Sequence, residues 1–209
     1  MVDWFGACGV DASAKVVAYD DIGGAFAVRL WWLLCWLGHA EVAVLDGGLQ
    51  AWIAAGRELS TDGAAPEPRS FVPVIDDKLW VRIGDLVKAL DGDDDIQVID
   101  ARAVERFRGE AEPIDPVAGH IPGAINLPLS DNLDNDGRFL TPDRLRQRFM
   151  VAMRDRTAAQ VVHSCGSGVN ACHNLLAMEP AGLHGSRLYA GSWSEWIRDP
   201  ARPIAAGPG

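Results

Sequence analysis

Positive charge is scarce in this 209-residue chain. Its 19 lysines and arginines are set against 29 aspartates and glutamates, a formal net charge of −10. That balance excludes a surface built to hold nucleic acid or an anionic membrane. It leaves room for a small anionic ligand, whose binding depends on local arginines and backbone dipoles. Cysteine is sparse too: Cys8, Cys35, Cys165 and Cys172 form no Cys-x-x-Cys pair and no His/Cys spacing suited to zinc. The sequence therefore predicts no metal site, no cofactor and no disulfide framework, and reduced thiols fit a cytoplasmic protein. No basic segment followed by an apolar core opens the chain, so no signal peptide is expected. The strongly apolar run at residues 25–37 is 13 residues long and carries Arg29. It is too short to cross a bilayer and reads as a buried helix, with no membrane partner implied. The acidic run at 91–95 reads as a solvated loop.

What is present is a core-forming composition, 48% apolar and 23% charged, and one informative stretch. Val161-Val162-His163-Ser164 reads as a buried strand, Cys165-Gly166-Ser167-Gly168-Val169-Asn170 as a tight loop, and Ala171 to Met178 as a helix. A cysteine there meets the amides of the loop and of the helix N-terminus, a setting that holds anions and favours a thiolate. The two glycines allow the loop to close. Cys165 is thus the candidate nucleophile. Cys172 reads as a small packed residue, with a resolving thiol as the alternative.

The chain carries a diverged copy of this stretch. Residues 16–25 (Val-Val-Ala-Tyr-Asp-Asp-Ile-Gly-Gly-Ala) align with residues 161–170, and Asp20 stands in the place of Cys165. Each copy is followed by a helix, a short strand and a glycine turn with a tryptophan, Trp52 in the first and Trp196 in the second. Two such blocks predict an α/β protein with two related domains, each with a parallel sheet flanked by helices. The expected organisation is a partial, non-catalytic domain at 1–57, a Pro/Gly/Ala-rich linker at 58–78 and a catalytic domain at 79–209. The second domain opens with an amphipathic helix at 80–90 and a strand at 96–100. Only 19 residues precede Asp20, so by internal symmetry the first domain is expected to lack its earlier half. The apolar faces left bare would favour self-association.

Strand 96–100 leads into Asp100-Ala101-Arg102, with Arg106 four residues on. Strand C-terminal ends gather ligand-binding groups in open parallel sheets. At this spacing Arg102 and Arg106 would share a helical face and fork onto a carboxylate or sulfonate-like group. The competing reading pairs one arginine internally with Asp100 or Glu105. His120, in Gly119-His120-Ile121-Pro122-Gly123-Ala124, reads as turn-stabilising, Trp193 and Trp196 as core and cleft wall, and Ser167 as either a substrate donor or a loop cap.

Taken together, the Cys165–Ala171 loop, Asp100-Ala101-Arg102 with Arg106-Phe107, the 119–124 turn and Tyr189-Ala190-Gly191-Ser192-Trp193 resemble the rhodanese family of sulfurtransferases. The resemblance covers the second domain and the later half of the first, and tandem members likewise pair a catalytic C-terminal domain with an inactive N-terminal one. It implies that Cys165 attacks the sulfur of 3-mercaptopyruvate or thiosulfate, becomes a persulfide, and passes the outer sulfur to cyanide, a thiol or a thioredoxin-like acceptor. Arg102, Arg106, Gly166, Ser167, Gly168, Val169 and Asn170 would bind the small anionic donor. The loop is similar to that of 3-mercaptopyruvate sulfurtransferases, with Asn170 where the family has Thr, both good helix caps. Ile114-Asp115 follows Glu112-Pro113 where those enzymes typically carry a second arginine. A Cys-x5-Arg phosphatase is excluded by Ala171. The alternative function is a catalytically impaired sulfur-carrier or binding module.

Overall fold

The computed structural model describes residues 1–63, 65–92 and 95–209. Asp93 and Asp94 of the acidic run and Ala64 of segment 58–78 lie outside the described residues. The chain divides into two compact units, residues 1–77 with 135–138, and residues 78–134 with 139–209.

The first unit runs α1 (Val2–Ala7), β1 (Val16–Ala18), α2 (Ala27–Trp36), β2 (Val42–Val44) and α3 (Gly48–Ala54). The two strands pair in parallel, Val16 opposite Val42 and Ala18 opposite Val44. Helix α2 lies within the apolar run at 25–37 and buries Ala27, Val28, Trp32 and Leu34. Segment 58–78 is not a free tether. Its described residues hold no regular element before a single 3-10 turn at Asp77–Leu79. Yet the amides of Arg69, Val74 and Asp76 donate to the carbonyls of Gly6, Leu37 and Trp36. Phe71 packs in the core with Phe5, Val10, Leu34 and Leu37. An extended strap anchored by one aromatic has no periodicity to read, which is why its sequence looks like a linker. Trp4, Val17, Tyr19 and Phe26 of this unit are exposed.

The second unit contains α4 (Ile83–Asp91), β3 (Gln97–Asp100), α5 (Val104–Arg108), β4 (Ile125–Asn126), α6 (Pro142–Met153), β5 (Val161–Ser164), α7 (Ala171–Met178), β6 (Arg187–Leu188) and α8 (Ser192–Trp196). Helix α4 starts three residues later than expected. Trp80 bridges Leu188, and the Val81 amide donates to the Leu188 carbonyl at 2.8 Å, so these residues extend the sheet edge instead. The strand order is β4-β3-β5-β6, all parallel.

Every residue of β3 and β5 is buried, because a core packs on each face. Leu86, Val98, Phe107, Val162 and Trp193 fill one face. Ile99, Leu145, Phe149, Val161 and Met178 fill the other. Strands covered on both sides read as unbroken apolar runs, and each fully buried Leu or Phe contributes roughly 1.5–3 kcal/mol.

From β3 the chain steps outward to β4, then returns through α6 to β5 on the opposite side of β3. Strand order therefore switches between β3 and β5, and open parallel sheets form their ligand crevice at such a switch, beyond the strand C-termini. Asp100 and Ser164 end the two central strands in register. Arg102 lies just past one, Cys165 just past the other.

Candidate active site

Cys165 is the first residue beyond β5 and is buried, 1% exposed. Its position is fixed from the start of α8. The Cys165 amide donates to Ser192 Oγ at 3.0 Å, and that hydroxyl donates to the Tyr189 carbonyl at 2.9 Å. The amides of Trp193 and Ser194 donate to the carbonyls of Cys165 and Gly166 at 3.0 and 2.8 Å. Ser192 sits at φ 51°, an unfavourable backbone for a residue with a side chain, retained here by its two hydroxyl hydrogen bonds. Ser192 and Ser194 were not singled out from sequence. The available signal was the Gly191 turn after β6.

Gly168 has φ +75°, and a Cβ there would collide with the Ala190 carbonyl, so only glycine closes this loop. Among the described residues, no acceptor faces the amides of Gly166, Ser167, Val169 and Asn170. Ser167 is exposed. The capping role expected of Asn170 is corrected. It adopts helical backbone angles and its side chain makes no cap hydrogen bond, while its carbonyl accepts the His173 amide at 3.0 Å.

The two arginines divide, and the expectation for Arg102 is corrected. Helix α5 begins at Val104, so Arg102 precedes it and does not share its face. Its Nε donates to both Asp100 oxygens at 3.1 and 3.0 Å, and its Nη2 to Asp100 Oδ2 and the Gly119 carbonyl, both at 2.7 Å. Its Nη1 reaches Glu112 Oε2 at 3.3 Å. All three nitrogens are engaged in a side chain that is 2% exposed and lies over the Trp193 ring. Burial without partners would be prohibitive for a guanidinium, and these internal partners leave it unsuited to a donor.

Arg106 differs. It forks onto Glu112, Nε at 3.0 and 3.1 Å and Nη2 at 2.6 Å, and Nη2 also reaches Asp115 Oδ2 at 3.2 Å. Its Nη1 donates to no described residue, and the guanidinium lies against Gly166, with Nη2 and Nη1 3.5 and 3.6 Å from where a Cβ would stand. Both arginines do converge on one carboxylate, but it is the protein's own Glu112. Burial pushes the Glu112 carboxyl up, yet Arg106 and the amides of Asp115 and Ile114 outweigh it and hold the group below the usual carboxylate range.

Four other side chains near the site are buried and held within the core. His120 is buried, its Nδ1 2.7 Å from the Phe107 carbonyl and its ring stacked on Phe107 at 3.7 Å. Cys172 is fully buried, with its Sγ donating to the Gly168 carbonyl at 3.4 Å. Trp193 donates through Nε1 to the Val117 carbonyl at 2.8 Å. His163, on β5, is fully buried, and burial pushes its pKa down to about 3, so it is neutral near pH 7.

The first unit shows what a loop of this sequence pattern does with a negative charge. Asp20 Oδ1 accepts the amides of Ile22 and Gly24 at 3.0 and 2.8 Å, and Oδ2 those of Phe26 and Ala27, both at 2.9 Å. Burial raises the Asp20 pKa, but the four amides more than offset it and leave the carboxyl below its ordinary value.

A family model described as the rhodanese-like domain matches residues 3–55 and 84–199. A Pseudomonas aeruginosa protein named a probable 3-mercaptopyruvate sulfurtransferase is 52% identical over 202 residues, covering 96% of this chain and 71% of that protein. The 3-mercaptopyruvate sulfurtransferase of Mus musculus is 36% identical over 215 residues, covering 100% and 72%. The wild-type structure of EanB superimposes with a TM-score of 0.85 at 22% identity, over 97% of this chain and 53% of that one, a likeness of fold. Among the described residues, no helix is long and apolar enough to cross a membrane. No group of three or more His, Cys, Asp or Glu among them could hold a metal ion.

Proposed function

The chain belongs to the rhodanese-like family and is a sulfurtransferase, and from that premise we propose that it carries sulfur from 3-mercaptopyruvate or thiosulfate to a thiophilic acceptor as a persulfide on Cys165. The observation that carries this reading is the loop itself. A buried cysteine opens a turn in which the amides of Gly166, Ser167, Val169 and Asn170 face no acceptor among the described residues, with the Arg106 guanidinium laid against Gly166.

In the first half-reaction the Cys165 thiolate attacks the donor sulfur. With thiosulfate, the S–S bond of the donor breaks, sulfite leaves with the electron pair, and the persulfide anion remains on Cys165. With 3-mercaptopyruvate, the C–S bond breaks and the carbanion, stabilised as the enolate of pyruvate, takes up a proton. The loop amides hold the terminal sulfur's charge as preorganised donors hold an oxyanion. Asp20 supports this, since the matching loop of the first unit wraps four amides around one anionic group. In the second half-reaction cyanide, a thiol or a thioredoxin-like protein attacks the outer sulfur, and the Cys165 thiolate is released.

Arg106 Nη1 is the group available to a donor carboxylate or sulfonate, whereas Arg102 holds the clamp from behind. The test is sulfide and thiocyanate formation by the wild type and Cys165→Ser, with mass spectrometry of the donor-treated protein. The expected result is one added sulfur on Cys165, and turnover that vanishes in the serine variant. Equal turnover by the two proteins would overturn the proposal.

A further inference from the structure

Asp115 is absorbed by none of the roles above, yet it sits between the donor arginine and the loop. Its Oδ2 accepts from Arg106 Nη2 at 3.2 Å, and its Oδ1 lies 2.8 Å from Ser194 Oγ. Ser194 Oγ is in turn 2.7 Å from the Gly166 carbonyl. The Asp115 side chain is 9% exposed, against 3% for Glu112, so it is the outer of the two carboxylates on Arg106.

Charge bookkeeping gives this position its meaning. The guanidinium of Arg102 is matched by Asp100, and that of Arg106 by the bidentate Glu112. Without Asp115 the cluster beside the cysteine loop is neutral. With it, two cations face three carboxylates. We propose that Asp115 is a specificity-determining residue, whose carboxylate makes the mouth of the Cys165 loop disfavour incoming negative charge and so discriminates against doubly charged sulfur donors in favour of singly charged ones. The donor part rests on the sulfurtransferase reading. The field at Cys165 does not.

Asp115→Asn isolates the charge. The amide oxygen can accept from Arg106 Nη2 while the amide nitrogen donates to Ser194 Oγ. Ser194 has one hydroxyl proton and two acceptors in range, so this exchange directs it to the Gly166 carbonyl and every contact survives. Removing one charge beside Gly166, the residue after the cysteine, in a partly solvated setting changes the attraction by roughly three- to tenfold per unit of ligand charge.

The experiment measures alkylation of Cys165 by iodoacetate and iodoacetamide, which differ by one negative charge, and kcat/KM for thiosulfate and 3-mercaptopyruvate. In Asp115→Asn the iodoacetate-to-iodoacetamide rate ratio is expected to rise three- to tenfold and the rise to shrink with added salt. The preference for thiosulfate, the dianion, should rise by a similar factor relative to the monoanionic 3-mercaptopyruvate. Asp115→Ala, which removes charge and contacts together, should give the same ratio as Asn. An unchanged ratio overturns the proposal, as does a change confined to Ala or one shared equally by both reagents. A raised ratio without turnover by the wild type on either donor leaves the assignment of the field standing and refutes the sulfurtransferase reading instead.

Discussion

Replacing Arg102 by methionine separates a buried clamp from a substrate-binding arginine. The side chain is 2% exposed and its partners Asp100 and Glu112 are 4% and 3% exposed. Methionine keeps much of the stem volume, and with it part of the contact to Trp193. What it cannot replace is the set of charge-assisted bonds to Asp100, to Glu112 and to the Gly119 carbonyl. Removing one member of a buried ion pair costs about 3–5 kcal/mol, because the other charge stays buried without its partner. Domain stabilities are about 5–15 kcal/mol, so roughly a fifth or more of the margin is at stake. With a urea m-value of ~2 kcal/mol/M, the unfolding midpoint of the second unit should fall by roughly 1.5–2.5 M. Hydrogen exchange of peptides covering β3 and β5 reads that unit separately from the first. Arg106→Lys is the contrast, since Arg106 is 18% exposed. Lysine keeps the charge beside Glu112 but not the fork, so the loss of stability should be about 1.5–3 kcal/mol, smaller than for Arg102→Met. Loss of the forked donor should lower kcat/KM for anionic donors by ~10–100-fold, with iodoacetamide alkylation of Cys165 little changed. An Arg102→Met protein with wild-type stability and a selective loss of donor affinity would refute the division between the two arginines.

Two further outcomes follow from groups outside the reaction. His163 is buried neutral with its pKa near 3, so the unfolded chain binds a proton that the folded one refuses as the pH falls below 6.5. Between pH 7 and pH 5 this residue alone should remove ~2 kcal/mol of stability, and His163→Leu should flatten that part of the pH profile; parallel slopes for the two proteins in urea titrations would contradict it. Asp20→Asn supplies one acceptor oxygen where four amides need two, and it aims an NH2 at two of the donors. The first unit should lose ~1–3 kcal/mol. Because the folded pKa of Asp20 is lowered, its contribution is present above about pH 4 and lost as the pH falls through the folded value, a dependence that the asparagine variant should lack. Exchange of residues 20–36 at wild-type rates in the variant would show that the carboxylate does not hold the loop.

The strand–loop–helix around Cys165 was legible in the sequence because its constraints are local. A buried strand shows as an apolar run, Gly168 marks the one backbone angle that a side chain cannot adopt, and α7 follows at once. The parallel α/β class was legible for a related reason, since each strand–helix block repeats the same pattern. The fate of Arg102 was legible only as an alternative, the internal pairing of one arginine with Asp100. Spacing places Arg102 and Arg106 side by side only if the helix already includes position 102, and α5 starts at Val104. Which arginine is spent internally depends on Glu112 and the Gly119 carbonyl, brought in by a turn with no periodic signature. Ser192 and Ser194 were missed for the same reason, because their partners Cys165 and Gly166 lie more than twenty residues away in sequence. Phe71 was missed because a strap held by one buried ring leaves no pattern.

The two cysteine-type loops of this chain differ most in the residue that opens them. In the first unit the opening side chain is a carboxylate, and it gathers the amides of Ile22, Gly24, Phe26 and Ala27 onto itself. An acceptor built into the loop satisfies those donors permanently and leaves nothing for a ligand to gain there. In the second unit the opening side chain is a thiol, a weak acceptor, and the amides of Gly166, Ser167, Val169 and Asn170 have no internal acceptor among the described residues. Unpaired donors become useful only when charge arrives or develops, so in the proposed persulfide reaction their stabilising effect is reserved for the anionic sulfur. The first loop uses its donors for structure; in the proposed reaction the second keeps them for the sulfur on Cys165.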